Sequence, residues 1–142
     1  MQISPEAFKT LIANIKAEEG LKQVLYLDST NHYTYGYGHK ASIPISEHIC
    51  EAILIDDLTN AEDELSKNWE PYFLLDCSRK TVLVDMTLNL GITGLMHFRN
   101  MLQAIQDQNW KKASAELINS KADHQEPNRI EKWAYKLEFG LI

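Results

Sequence analysis

Apolar residues recur at helical spacing at the start of the chain, where Phe8, Leu11, Ile12 and Ile15 fall on one face. That periodicity predicts an amphipathic helix over 5–18. Ser4 suits its N-cap and Pro5 its first turn, Ile3 can staple against Phe8, and Gly20 suits its end. The pattern then changes period. Residues 24–28 and 33–37 read as short strands, and Ser29-Thr30-Asn31-His32 between them reads as a turn. Ile43-Pro44-Ile45 predicts an edge strand, where proline is tolerated. From Ser46 a long helix is predicted to about Lys67. Ile49, Ile53, Leu54, Leu58, Ala61 and Leu65 form its stripe, opposite Asp56, Asp57, Glu62, Asp63 and Glu64. Trp69-Glu70-Pro71 breaks it.

The remainder reads as helical. Residues 78–90 form a strongly apolar, central helix ended by Gly91, and 91–94 form a turn. Helices follow at about 95–107, 109–119 and 128–138, with Asn109 as a cap and Pro127 beside the last start. The predicted class is α+β, with a small N-terminal β-sheet lobe joined by a long helix to a mainly helical C-terminal lobe. Residues 1–142 are expected to form one domain, with the first lobe at about 15–60 and the second at about 70–142. Helix 5–18 is expected to pack on the second lobe.

Composition narrows the classes of function. Hydrophobic residues make up 44% of the 142 residues, enough for an ordinary core. No apolar run approaches the roughly 20 residues of a membrane helix, and the first residues show no basic-then-apolar leader. Synthesis in the cytosol without membrane insertion is therefore expected. The net charge of -6 argues against nucleic-acid binding, which depends on neutralising phosphates. Residues 1–98 carry 7 Lys and Arg against 14 Asp and Glu, and residues 99–142 carry 7 against 6. Cys50 and Cys77 lack CxxC spacing and are expected to be reduced. The five histidines show no HExxH or Cys/His ligand spacing, so no metal is expected. Gly36-Tyr37-Gly38 lacks the third glycine and following helix of a dinucleotide loop, so no cofactor is expected.

The candidate chemistry lies between Glu19 and His39. Glu19-Gly20-Leu21 closes the first helix, Asp28 follows eight intervening residues after Glu19, and Thr34 follows five more, within Thr34-Tyr35-Gly36-Tyr37-Gly38-His39. Each residue alone has an ordinary explanation. A glutamate at a helix end is usually solvated, an aspartate beside a turn usually serves the turn, and a threonine in a strand is a good strand former. Together, two acids and a hydroxyl at one corner suit glycosidic hydrolysis. One acid protonates the leaving oxygen and the other groups manage the water. Tyr26, Tyr33, Tyr35 and Tyr37 offer rings for sugar stacking, or alternate members fill the small core.

This Glu, Asp and Thr spacing, with Gly36, Gly38 and His39, resembles the signature of the phage-type lysozymes, glycoside hydrolase family 24. The resemblance extends to Asn89-Leu90-Gly91-Ile92-Thr93-Gly94, to Asn109-Trp110, and to Gln125-Glu126-Pro127-Asn128-Arg129, which is similar to a late Pro-x-Arg turn. It implies Glu19 as general acid, Asp28 as second carboxylate and Thr34 as a holder of water. It implies Arg129 as an ion-pair partner of Glu19, and His39 with Asp57 as a structural pair. Tyr33, Leu88 and Gly91 are the candidates for substrate contact. The positions matched to the family's sugar cleft by counting, Lys40, Leu88, Met101 and Glu116, depart from its pattern except at Leu88, and the segment after His39 is short.

The resemblance implies an N-acetylmuramidase of bacterial peptidoglycan that acts as a monomer without cofactor. The setting implied is an endolysin, made in the host bacterial cytoplasm and acting in the periplasm and cell wall after holin-type release. A tail-associated or secreted antibacterial muramidase is a variant of that reading. The rivals from other classes are a catalytically idle muramidase fold used as a binding scaffold and a helical adaptor indifferent to Glu19.

Overall fold

Ser4 Oγ accepts a hydrogen bond from Ala7 N–H at 3.3 Å and opens helix α1 (Pro5–Glu19). Gly20 closes it with φ at 67°, and its N–H reaches Lys16 O at 3.1 Å. The structure, a computed structural model, describes residues 3–120 and 126–140. Lys121 and Gln125 lie outside them.

Three antiparallel strands follow in the order β1 (Lys22–Leu27), β2 (Tyr33–Gly36) and β3 (His39–Lys40). Tyr26 faces Thr34 and Leu27 faces Tyr33 across the first pair, with an irregularity between Lys22 and Tyr26. Thr34 faces Lys40 and Tyr35 faces His39 across the second. The third strand is thus His39–Lys40 and not the expected Ile43-Pro44-Ile45. The chain turns as soon as it leaves β3, with Ile43 N–H donating to Lys40 O at 2.9 Å. The Ile43 carbonyl is taken by His39 Nε2 at 3.1 Å. Pro44 has no N–H with which to extend a ladder.

Helix α2 (Glu47–Asn68) matches the long helix expected from 46 to 67. A 3-10 turn at Glu70–Leu74 follows, with Pro71 in its first turn. Helix α3 (Cys77–Met96) is capped by Asp76, whose side chain accepts from Arg79 N–H at 3.0 Å. Gly91 interrupts α3 with φ at 71° and ψ at 163°, as expected, but the chain resumes helical form where a turn was expected. Helices α4 (Arg99–Gln106), α5 (Trp110–Ser120) and α6 (Pro127–Phe139) complete the chain. The helix expected from 95 begins at Arg99 because Phe98, with ψ at 53°, breaks the helical run before it.

The chain divides into two compact units, Met1–Ile49 and Cys50–Ile142, with α2 running across the boundary. The second unit holds the main core. Leu65, Leu83, Met86, Leu95, Leu117 and Leu137 are fully buried there, with Trp69, Tyr72 and Trp133 around them. Each such aliphatic side chain stabilises the fold by about 1.5–3 kcal/mol. Arg79 ties α3 to the end of α6. Its Nε donates to Leu137 O at 2.7 Å and its Nη2 to Glu138 O at 3.0 Å, while Nη1 pairs with Asp76 at 2.7 Å. Its guanidinium stacks 3.9 Å from the centre of the Trp110 ring. The clamp supplies donors to the orphan carbonyls of a helix C-terminus.

Candidate active site

Glu19, Asp28 and Thr34 line one pocket of about 450 Å³ within the first unit, together with Tyr26, Thr30, Gly38 and Lys40. Three local structures bring them there. Glu19 is the last residue of α1, where Gly20 turns the chain into β1. Asp28 follows the end of β1, and Thr34 faces Tyr26 from β2 with only 2% of its surface exposed.

Gly38 makes room for Glu19. A Cβ built on Gly38 would stand 3.2 Å from Glu19 Oε2 and 3.3 Å from its Cδ, and Gly38 holds φ at 82°. The glycine is therefore required twice, by the left-handed backbone and by the approaching carboxylate.

Asp28 is held by its own loop. Its N–H donates to His32 O at 2.9 Å, and its carbonyl accepts from Asn31 N–H at 3.1 Å. Its Oδ1 accepts from Thr30 N–H at 2.9 Å, Thr30 Oγ1 at 2.9 Å and His32 N–H at 2.8 Å. The His32 N–H, above all, favours the ionised carboxylate, and the Thr30 donors add to it, so the pKa falls from 3.8 to about 2. Thr34 Oγ1 lies 2.9 Å from His32 O and 3.4 Å from Asp28 Oδ2. Its one proton goes to the nearer acceptor, the His32 carbonyl. The hydroxyl oxygen keeps lone pairs for an incoming donor such as water.

The other candidates lie elsewhere, and His39 and Arg129 have partners of their own. His39 Nε2 donates to Ile43 O at 3.1 Å, and its ring lies 5.1 Å from that of Tyr35. Asp57 lies on α2. Arg129, in the first turn of α6, donates from Nη2 to Asp85 at 2.8 Å and from Nη1 to Glu126 at 3.2 Å. The Asp85 hydrogen bond, above all, raises its pKa further. The other oxygen of Asp85 accepts from Trp133 Nε1 at 2.7 Å. Tyr33 is exposed at the start of β2. Leu88 and Gly91 lie on α3, the latter at its break.

The sequence pattern marks 29–32 as a turn but does not single out Thr30 and His32 as partners of Asp28. An aspartate followed two residues later by a threonine carries the signal for a side chain that binds its own loop. Asp85 as the partner of Arg129 had no comparable local signal, because 44 residues separate the two. Among the described residues no group of three or more side chains is gathered to hold a metal ion. No single helix there is long and apolar enough to cross a membrane.

One pocket thus presents a carboxylate at a helix end, a second carboxylate bound by its own loop and a buried threonine. A model of the phage lysozyme family matches residues 16–133, and the chain belongs to that family. It is similar to two proteins of Dictyostelium discoideum. "Probable T4-type lysozyme 1" is 27% identical over 158 aligned positions, which cover 90% of this chain and 93% of the relative. "Probable T4-type lysozyme 2" is 25% identical with the same coverage.

Proposed function

We propose that the protein is an N-acetylmuramidase that hydrolyses the β-1,4 bond between N-acetylmuramic acid and N-acetylglucosamine in bacterial peptidoglycan. The observation that carries this reading is the single pocket lined by Glu19, Asp28 and Thr34. The environments support the roles proposed for each residue. Asp28, with its carboxyl lowered to about 2, is ionised at neutral pH and has no proton to give. Glu19 is therefore the general acid and protonates the leaving glycosidic oxygen. The anionic Asp28 stabilises the oxocarbenium-like charge that develops as that bond breaks, or orients the water that attacks it. Thr34 accepts a hydrogen bond from that water. Tyr33, Leu88 and Gly91 are the proposed substrate contacts. The Arg129–Glu19 and His39–Asp57 pairs implied by the family resemblance join residues of different units and belong to this proposal, and double-mutant cycles test them.

Turbidity loss of outer-membrane-stripped bacteria measures the activity. Glu19→Gln keeps the size of the side chain and removes the transferable proton, and lysis is expected to fall about 10²–10⁴-fold at unchanged folding. The cleaved bond is read from the new reducing ends, which are N-acetylmuramic acid for this reaction. Reducing N-acetylglucosamine ends would reject the bond assignment. Glu19→Gln with lysis within threefold of wild type would instead reject Glu19 as the general acid, and wild-type protein without lysis would favour an idle scaffold or adaptor.

The biological setting we propose is an endolysin, made in a bacterial cytoplasm and released to the wall by a holin-type pore. The two named relatives come from an amoeba and not from a phage, which supports a second setting, an antibacterial muramidase that a cell directs at foreign walls. Localisation of the protein in its native cell separates them, since an endolysin stays in the bacterial cytoplasm until lysis and a directed antibacterial muramidase leaves an intact cell.

A further inference from the structure

The loop after β1 holds a chain of contacts that the proposed mechanism leaves unused. Asp28 Oδ1 accepts three hydrogen bonds, two from Thr30 and one from the His32 N–H. Oδ2 has only the long contact of Thr34 Oγ1 at 3.4 Å among the described residues. The Thr34 proton sits on the nearer His32 carbonyl, so Oδ2 is left almost without a protein donor. Behind Oδ1, Thr30 Oγ1 also lies 2.8 Å from His32 Nδ1. A hydroxyl carries one proton, and a carboxylate can only accept. Both short contacts of Thr30 Oγ1 are hydrogen bonds only when His32 Nδ1 carries a proton and donates it to Thr30. The Thr30 proton then points at Asp28. The chain runs one way, from imidazole to hydroxyl to carboxylate.

We propose that Thr30 and His32 are positioning residues of the reaction, which saturate Oδ1 of Asp28 and thereby assign Oδ2 as the oxygen that meets the reacting sugar or water. A carboxylate with both oxygens free would rotate about its last bond and divide itself between the two tasks. Here one oxygen is anchored to the loop, and the other lies 3.4 Å from Oγ1 of Thr34, a residue that lines the pocket. The proposal rests on the muramidase reading, and its test separates the two.

The full-length protein is compared with Thr30→Val, Thr30→Ser and His32→Phe. Valine keeps the shape of threonine without its hydroxyl, serine keeps the hydroxyl, and phenylalanine keeps a ring without Nδ1. The His32 N–H to Asp28 survives in all three. Initial lysis rates against wall concentration separate kcat from KM, and a carboxyl carbon NMR titration follows Asp28 itself. Glu19, Tyr26, Lys40 and His32 are the other titratable groups around Asp28, and Thr30→Val retains them all. Loss of one charge-assisted hydrogen bond predicts that Thr30→Val lowers kcat about tenfold at unchanged KM. Thr30→Ser should return it to within about twofold, and His32→Phe should lower it about threefold, because its bond is one step removed. Asp28 should titrate at higher pH in Thr30→Val than in wild type. A Thr30→Val protein with wild-type kcat, or a loss that serine does not restore, overturns the positioning role. Wild-type protein without action on walls overturns the muramidase reading instead. In that case, an upward move of the Asp28 titration in Thr30→Val still supports the anchoring of Oδ1 by Thr30, and an unmoved titration overturns it.

Discussion

Replacing Gly38 with alanine adds one methyl group at the closest approach to Glu19, and the structure predicts two separable effects. The first is backbone strain. Gly38 holds φ at 82°, and a side chain at left-handed φ costs about 1–2 kcal/mol. Alanine also stiffens the unfolded chain, which offsets about 0.4–1 kcal/mol of that. The net loss of stability is about 1 kcal/mol, or roughly 2–4 °C in melting temperature for a chain of this size. The second effect is displacement of the carboxylate. The new Cβ would stand 3.2 Å from Glu19 Oε2, so the carboxylate must yield by a few tenths of an ångström. A misplacement of about 1 Å can cost 10²-fold in rate, so this smaller shift should cost about threefold to tenfold. Gly36→Ala is the internal control. Gly36 holds φ at 66°, but its Cβ would meet nothing within 4 Å. It should therefore lose similar stability and keep its lysis rate. Thermal melts and initial turbidity rates on both variants, at a temperature where each is folded, make the comparison. Equal lysis losses in the two variants, or full lysis in Gly38→Ala, would refute the claim that the glycine is there to admit Glu19.

Further expectations follow from the same contacts. The Asp28 pKa lies below its ordinary value, so its contribution to stability is present above pH 3.8 and is lost as pH falls toward about 2. Asp28→Asn should flatten the acid fall in stability across that window and also abolish most lysis, and an unchanged acid unfolding curve would contradict the bonding at Oδ1. Arg79→Ala should destabilise the protein by about 2–3 kcal/mol in chemical denaturation, with little recovery in Arg79→Lys, because an ammonium cannot make the same fork of bonds and stack on Trp110. Full rescue by lysine would show that charge alone matters there. Residues 1–98 carry twice as many acids as bases, and cell walls are largely anionic. Lysis should therefore rise between about 0.01 and 0.15 M salt as the Debye length falls from about 30 to about 8 Å. A rate that falls steadily over that range would show that local attraction outweighs the net charge.

Much of the scaffold was legible because its signals are local. Ser4 and Pro5 begin a helix through capping and a preset φ, and neither needs the rest of the chain. The apolar stripe from Ile49 to Leu65 predicts a long helix, and α2 runs Glu47–Asn68. Where local signals were weak, the reading slipped. Ile43-Pro44-Ile45 has strand-like composition, yet the sheet takes His39–Lys40, because pairing depends on what lies opposite Thr34 and Tyr35. Gly91 does break the backbone, but a glycine cannot reveal whether the chain turns away or resumes its helix. Burial of Leu95 in the second unit's core accompanies the resumed helix.

The sequence by itself determined the family and singled out Glu19, Asp28 and Thr34 as candidates, because their fixed spacing is a property of the chain order. Tertiary structure alone decided how those residues are equipped. Only folding brings Gly38 against the Glu19 carboxylate, directs the Thr34 proton to the His32 carbonyl and saturates one oxygen of Asp28 while leaving the other with one long contact to Thr34. It also gives Arg129 to Asp85 across 44 residues of chain. Hydrogen bonds and steric contacts are set by distances of a few tenths of an ångström. Such distances arise when strand register, turn and helix end meet, and no periodicity along a chain encodes them.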